Sequence, residues 1–465
     1  MRRMNANALV VDNLRRLFGE RLKLERGIRQ QFCQAPPGIE LSPPDAVVTV
    51  RSEEDIVQVV KLCRQYGVAV VPAGARSSLE GQINAPSGGV CIDCSEMNTI
   101  VCVSATDMSA TVQPGVTRNQ LNRYLRDTGL FFSVDPGANA SMGGMASTRA
   151  SGTNSVRYGT MAANVKAARW VMADGSVVQI GSRAPKSAMG LDLLALAVGS
   201  EGTLGVFSEL EVRLHPVPEA VVAGVCSFES VDNAVQAVVS ALAQGLSIAR
   251  IELLDATAVR ACNAYSPALA LAEVPHLFLE FDGDRFTVAN SVELFKDCAN
   301  EYGGQVRVSE CLEERTALWK ARHDAWWAFH AFYKGRTGLV TDVCVPLSCL
   351  SACISATATD IAACGFDAPL IGHVGDGNFH LLVMLDEGQA ENLEIQAFLN
   401  RLSKRALSCA GTVSGEHGVG QGKLKWMSAQ HGPALQLMQA IKSALDPDGI
   451  FNPGKMYHSL TVDAR

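Results

Sequence analysis

Residues 371–382 read Ile-Gly-His-Val-Gly-Asp-Gly-Asn-Phe-His-Leu-Leu, and the rest of the chain is organised around this stretch. Asp376-Gly377 is the dipeptide expected at the centre of a two-residue hairpin turn. Both central residues need φ > 0, and glycine reaches it without steric cost. On that register Gly375 faces Asn378, Val374 faces Phe379 and His373 faces His380. Directly opposed residues project from one face with Cβ atoms about 4.5–5.5 Å apart, so the two imidazoles converge. Two nitrogens aimed at one point suggest a metal.

Residues 414–420, Ser-Gly-Glu-His-Gly-Val-Gly, place a carboxylate beside an imidazole in a glycine-rich loop. Two histidines and one carboxylate, with positions left open, form a ligand set for a catalytic divalent ion such as zinc or manganese. The ligands are read as His373, His380 and Glu416. The competing reading has the hairpin histidines bonding only to neighbouring backbone.

The chain has 465 residues, 48% apolar and 19% charged, which is a globular composition on a scale of two or three domains. A net charge of −7 with no long basic block argues against nucleic acid as the main partner. No apolar run approaches the ~20 residues needed to span a bilayer, so membrane contact is expected to be peripheral at most. The arginine-rich stretch 1–32 also carries Asp12, Glu20 and Glu25, unlike a transit peptide, and reads as a surface helix without a targeting role. Fourteen scattered cysteines, several in apolar segments, are expected to be reduced thiols in a cytoplasmic protein.

After the helix 53–66, the strand 68–71 leads into Pro72, Ala73, Gly74, Ala75, Arg76, Ser77 and Ser78, continuing to Gln82. Such a loop can aim several backbone N–H groups at a phosphate. Residues 135–165 form a long run of small residues that includes Pro136-Gly137, Gly143-Gly144, Ser147, Ser151-Gly152 and Tyr158-Gly159. A long irregular segment is costly to order, and small side chains make sense where backbone lies against a large flat ligand with a phosphate tail. Gly199–Val206, GSEGTLGV, follows, and Pro216-Val217-Pro218 marks the first domain boundary.

Beyond it, strands and helices alternate as two strand–helix–strand units, which fit an antiparallel sheet with helices on one face. A helix over 312–333 carries Trp319, Arg322, His323, Trp326 and His330. Arg322 among aromatics suits a carboxylate bound through two parallel bonds, with a structural salt bridge as the alternative. No Gly-x-Gly-x-x-Gly follows a strand, no Walker loop is complete, and there is no Gly-x-Ser-x-Gly elbow.

The two glycine-rich segments, HVGDGNFH, SGEHGVG and the terminal FNPGK occur in an order that resembles the flavin-linked D-2-hydroxyacid dehydrogenases, the D-lactate dehydrogenase and glycolate oxidase catalytic-subunit group of the vanillyl-alcohol-oxidase superfamily. The resemblance covers essentially the whole chain. It implies an α+β fold with an FAD-binding domain of two subdomains (1–218, with 445–465 returning to it) and a ferredoxin-like cap (219–444). Residues 72–79 and 136–159 would then hold FAD noncovalently, with Gly202, Gly205 and Val206 beside the ring system and Asn452 and Lys455 nearby. Metal-assisted deprotonation of the substrate hydroxyl would use His417 as general base, and Arg322 would hold the carboxylate. The stretch 338–342 lacks the lysine that meets a distal carboxylate in similar 2-hydroxyglutarate dehydrogenases, which favours D-lactate. Glycolate, D-2-hydroxyglutarate and an ether-lipid synthase-like transferase remain alternatives. The electron acceptor would be a quinone, a cytochrome or an electron-transfer protein, and the family suggests a homodimer.

Overall fold

The computed structural model describes residues 2–457 and separates into two compact units. The first comprises Met1–Ser151, Gly159–Val217 and Glu416–Arg465; the second comprises Gly152–Tyr158 and Pro218–Gly415.

The first unit opens with helix α1 (Arg2–Phe18), whose buried Val10, Leu14 and Phe18 recur every four residues and form one apolar stripe. Strands β1 (Leu22–Lys23), β2 (Ala46–Thr49), β3 (Val70–Ala73) and β4 (Val90–Asp93) make a sheet in the order β1-β2-β4-β3, with the β2/β4 and β3/β4 pairs parallel. Helix α2 (Glu53–Tyr66) crosses between β2 and β3, capped by the Ser52 hydroxyl accepting from Asp55 N–H, and buries Ile56, Val59, Val60 and Cys63. The second sheet of this unit is antiparallel. It contains β5 (Ile100–Ser104), β6 (Ser109–Val112), β7 (Val165–Val171), β8 (Val177–Gly181) and β9 (Val206–Arg213), in the order β5-β6-β9-β7-β8. The small-residue run between β6 and β7 is broken into short helices at Met142–Thr148 and Met161–Asn164, while a third, Ser155–Tyr158, belongs to the second unit. These two sheets are the two subdomains expected of the first domain.

The second unit is built on one large antiparallel sheet. Its strands are β10 (Ala220–Ser227), β11 (Ile248–Leu254), β12 (His276–Gly283), β13 (Gln305–Ser309), β14 (Thr337–Val340), β15 (Val343–Cys344), β16 (Leu370–His373) and β17 (Asn378–Leu385). They run in the order β13-β10-β12-β11-β16-β17-β14, with β15 pairing the end of β17. One face packs helices α3 (Val231–Ala243), α5 (Arg285–Glu301), α8 (Leu347–Cys364) and α9 (Leu393–Ser408) in a core that includes Ile251, Leu253, Phe295 and Phe398. The other face carries α4 (Ala256–Tyr265), α6 (Leu312–His323) and α7 (Ala325–Phe332) over Leu254, Phe278, Leu382 and Met384.

Four sequence expectations change here. Helices cover both faces of the cap sheet, because strands such as β17 are buried along their whole length. The expected single helix over 312–333 breaks at Asp324. Helix α8 is 18 residues long with mean hydropathy 1.4, long and apolar enough to cross a bilayer by length and composition. In this unit its Leu350, Cys353 and Ile354 pack into the sheet core instead. Finally, the chain rejoins the first unit at Glu416, well before residue 445. The physical reason is local bonding: Glu80 O accepts from the amides of Gln421 and Gly422, and Lys423 pairs with the Glu80 carboxylate at 3.0 Å.

Candidate active site

The histidine pair lies in the second unit. The register places His373 opposite Asn378 and Ile371 opposite His380, so the histidines are diagonal neighbours and not the opposed pair expected from a two-residue turn. Gly377 takes φ +76 while Asp376 does not enter the left-handed region, and Val345 N–H donates to Gly377 O at 3.0 Å, drawing the turn toward β15. The displacement preserves the alternation of faces, so both rings still project from one side. Their centroids are 5.4 Å apart with planes at 82°, and each offers a nitrogen within 4.8 Å of the other's.

Both rings are held through Nδ1. His380 Nδ1 lies 3.0 Å from Thr341 O, and a carbonyl can only accept, so Nδ1 carries the proton and Nε2 the lone pair. His373 Nδ1 lies 2.6 Å from Glu252 Oε1, which imposes the same tautomer. Two Nε2 lone pairs on one sheet face are donors of the kind a divalent ion takes, so the pair fits such an ion. The neighbouring polar groups are also ordered. Asn378 Nδ2 donates to Asp342 Oδ1 and to Val343 O, both at 2.9 Å, while Ser414 Oγ donates to Asp342 Oδ2 at 3.0 Å. Gly415 N–H donates to Asp342 O at 3.2 Å, which pins the chain one residue before Glu416.

Arg322 does not present the two-bond edge expected for a substrate. Its Nε and Nη2 both donate to Glu252 Oε2, at 3.1 and 2.5 Å, and both side chains are buried. Burial alone would push the Glu252 carboxyl up. The facing His373 and Arg322 outweigh that and hold it below the usual carboxylate range. Glu252 was invisible as a partner because it is 121 residues from His373. Its signal was a lone acid inside the otherwise apolar run Ile251–Leu254.

The first unit contributes the glycine-rich loops and the Glu416-His417 pair. Ser151 Oγ donates to Glu416 Oε2 at 2.5 Å, and His417 Nε2 lies 3.8 Å from Glu416 Oε1. Gln82 Nε2 donates to His417 O at 2.8 Å, and the buried Glu201 carboxylate accepts from Val419 and Gly420 N–H at 2.7 and 2.8 Å. Glu201 is raised to about 7 by burial, against the lowering effect of those bonds. Lys455 is 2% exposed, donates to Gln82 O and Asn452 Oδ1 at 2.7 and 2.8 Å, and is lowered to about 7 by burial. Gln82 and Glu201 stand in quoted loops, yet nothing in their spacing marked them as supports of residues 417–420.

The two loops expected to hold FAD meet in this unit. Ala75 N–H donates to Ser141 Oγ at 3.2 Å, and a Cβ at Gly74 would lie 2.1 Å from that oxygen. Pro72, Gly202 and Asn452 also come together: a Cβ at Gly202 would sit 3.1 Å from both Pro72 Cγ and Asn452 Nδ2. Ser147 Oγ donates to Gly143 O at 2.7 Å, and Ser147 O accepts from Glu201 N–H at 2.8 Å. The Ser78 hydroxyl is buried with no protein partner, and Arg76 adopts φ +59 beside it in the loop. A backbone cradle that tolerates no extra Cβ and keeps an unpartnered buried hydroxyl fits FAD. Pro136-Gly137 lies at a more exposed edge, with Gly137 open to solvent. Gly205 abuts the Trp170 indole, where a Cβ would lie 2.6 Å from Nε1, and Val206 is buried in the apolar core, so both pack the fold.

Residues 44–181 match the family model described as FAD binding domain, and residues 217–456 match that of FAD linked oxidases, C-terminal domain. The probable mitochondrial D-lactate dehydrogenase of Danio rerio is 43% identical over 454 residues, covering 96% of this chain and 91% of that protein. The mitochondrial D-lactate dehydrogenase [cytochrome] of Arabidopsis thaliana is 42% identical over 416 residues, covering 89% of this chain and 73% of that protein. A solved alkyldihydroxyacetonephosphate synthase superposes with a TM-score of 0.75 at 18% identity, covering 96% of this chain and 84% of that one; this likeness is one of fold alone. Both sequence relatives are named mitochondrial, which overturns the cytoplasmic expectation. All fourteen cysteines are free thiols, and a reducing environment does not single out the cytoplasm.

Proposed function

Because this chain belongs to the FAD-linked oxidase and dehydrogenase family, we propose that it oxidises a small D-2-hydroxy acid, D-lactate first, to the 2-oxo acid. The observation that carries the proposal is the pair His373 and His380, both fixed through Nδ1 with Nε2 as the lone-pair nitrogen on one sheet face.

Pro72–Ser78, the 136–159 run, Gly202 and Asn452 would hold FAD, which would supply a hydride acceptor. His373, His380 and Glu416 would hold a divalent ion, zinc or manganese, which would supply the positive charge that lowers a hydroxyl pKa. His417 accepts the hydroxyl proton on a ring nitrogen, an imidazole being suited to that exchange near neutrality. Arg322, oriented by Glu252, meets the substrate carboxylate through Nη1. Thr341 and Asp342, the polar residues that follow β14, are engaged with His380 and Asn378. A second, distal carboxylate finds no cation on that strand, which favours a monocarboxylate. The plant relative's name specifies a cytochrome, so a cytochrome is the acceptor to test first.

The test is the anaerobic absorption spectrum of the metal-analysed protein before and after D-lactate, with L-lactate, glycolate and D-2-hydroxyglutarate in parallel. Bleaching of the flavin band by D-lactate and loss of both metal and bleaching in His380→Ala are expected. A flavin band untouched by every acid, in protein that holds metal, would sink the substrate assignment.

A further inference from the structure

One carboxylate in the second unit serves two site residues at once. In the β11/β16 pair Leu253 faces Gly372 and Leu254 faces Ile371; one step along, Glu252 faces His373 across the ladder. Glu252 therefore shares the sheet face of the histidine pair, and its two oxygens divide the work. Oε1 takes His373 Nδ1 at 2.6 Å, and Oε2 takes Arg322 Nε and Nη2 at 3.1 and 2.5 Å. At 1% exposure the carboxylate has almost no solvent access.

We propose that Glu252 is the positioning residue that couples the metal ligand His373 to the substrate-binding arginine Arg322. The inference rests on the functional reading above. An imidazole on β16 can turn about its side-chain bonds, and a bond at Nδ1 fixes both ring plane and tautomer, so the lone pair at Nε2 keeps one direction. A guanidinium bonded through Nε and Nη2 is likewise held in plane, with Nη1 pointing away from the carboxylate. Because both partners bond one rigid planar group, ligand and substrate contact keep a fixed mutual geometry. His380 is held differently: its Nδ1 lies 3.0 Å from Thr341 O and 3.6 Å from Asp342 Oδ1. The setting of His373 thus depends on a replaceable side chain that also holds Arg322.

The test compares wild type, Glu252→Gln and the double variant Glu252→Leu with Arg322→Met, each as the full chain with FAD bound. The double variant removes both buried charges together, so a folded protein is retained where a lone unpaired charge would destabilise it. Zinc and manganese affinity are measured by competition with a chromophoric chelator, alongside flavin content and thermal unfolding. Expected are a roughly 10- to 100-fold loss of metal affinity in both variants, unchanged flavin content, and a rise in KM for D-lactate in Glu252→Gln larger than the fall in kcat. Wild-type metal affinity in folded variants would overturn the inference and leave the ligand set standing. Wild type that binds neither metal would overturn the functional reading and the inference with it.

Discussion

Asn452 and Glu201 stand 251 residues apart in the chain, yet Asn452 Nδ2 donates to Glu201 O at 2.7 Å. The same asparagine accepts from Lys455 Nζ through Oδ1, and its N–H donates to Val70 O at 2.9 Å. One residue, through its side chain and its backbone N–H, thereby ties the terminal FNPGK segment to the GSEGTLG loop and to β3, from which the phosphate-type loop departs.

Asn452→Ala strands the buried Glu201 carbonyl, leaves Lys455 Nζ with Gln82 O but without Asn452 Oδ1, and places alanine at φ +42, where asparagine is better tolerated. A cost of about 2–4 kcal/mol is expected from one orphaned buried carbonyl, one lost bond to a buried amine and the strain. Thermal unfolding and the flavin-to-protein absorbance ratio check it; a melting temperature and ratio equal to wild type would refute the tie.

Gly74→Ala brings a methyl to 2.1 Å from Ser141 Oγ. Rotating that hydroxyl aside breaks its bond to Ala75 N–H, so relief is not free. FAD should be held about ten- to a hundredfold more weakly, from an overpacking cost of about 1–3 kcal/mol. Dialysis against buffer followed by flavin quantitation measures this, and full retention of flavin would argue that the loop does not approach the cofactor.

Glu201 carries the expected pH dependence. Its folded value is raised to about 7 from 4.5, so the fold binds a proton there that the unfolded chain has released. That contribution to stability is fully present below 4.5 and is lost as the pH rises toward 7. Glu201→Gln keeps one acceptor oxygen, enough for Val419 or Gly420 but not both, and does not titrate. The melting-temperature difference between variant and wild type should therefore move in the variant's favour from pH 4.5 to 7 and then level off. A difference constant across that range is the contrary result.

Gly377→Ala tests the turn that sets the histidines. A Cβ there would lie 2.1 Å from Val345 O, a backbone atom that cannot swing away, at a φ of +76. Destabilisation of about 2–4 kcal/mol is expected, with metal lost and flavin retained. Metal analysis of the folded variant decides it, since intact metal content would uncouple the turn from the site.

What the sequence determined by itself was chemistry carried by contiguous residues. HVGDGNFH and SGEHGVG name two imidazoles, a carboxylate and a further histidine, and the small-residue runs at 72–82 and 135–165 announce backbone meant to lie against a ligand. Period-two alternation also put both hairpin histidines on one face, a parity that survived the shift of register. The tertiary structure decided everything that depends on pairing between distant strands. Turn chemistry alone could not foresee that Val345 bonds to Gly377 and displaces the hairpin register. No local pattern could tell Arg322 that Glu252, 70 residues away, would take its bidentate edge. Nor could spacing reveal that Glu80 and Glu201 draw residues 417–423 into the first unit. Those partners are selected by which strands and loops lie side by side after folding, where the cost of burying a charge or an amide is offset only by a group brought in from elsewhere in the chain.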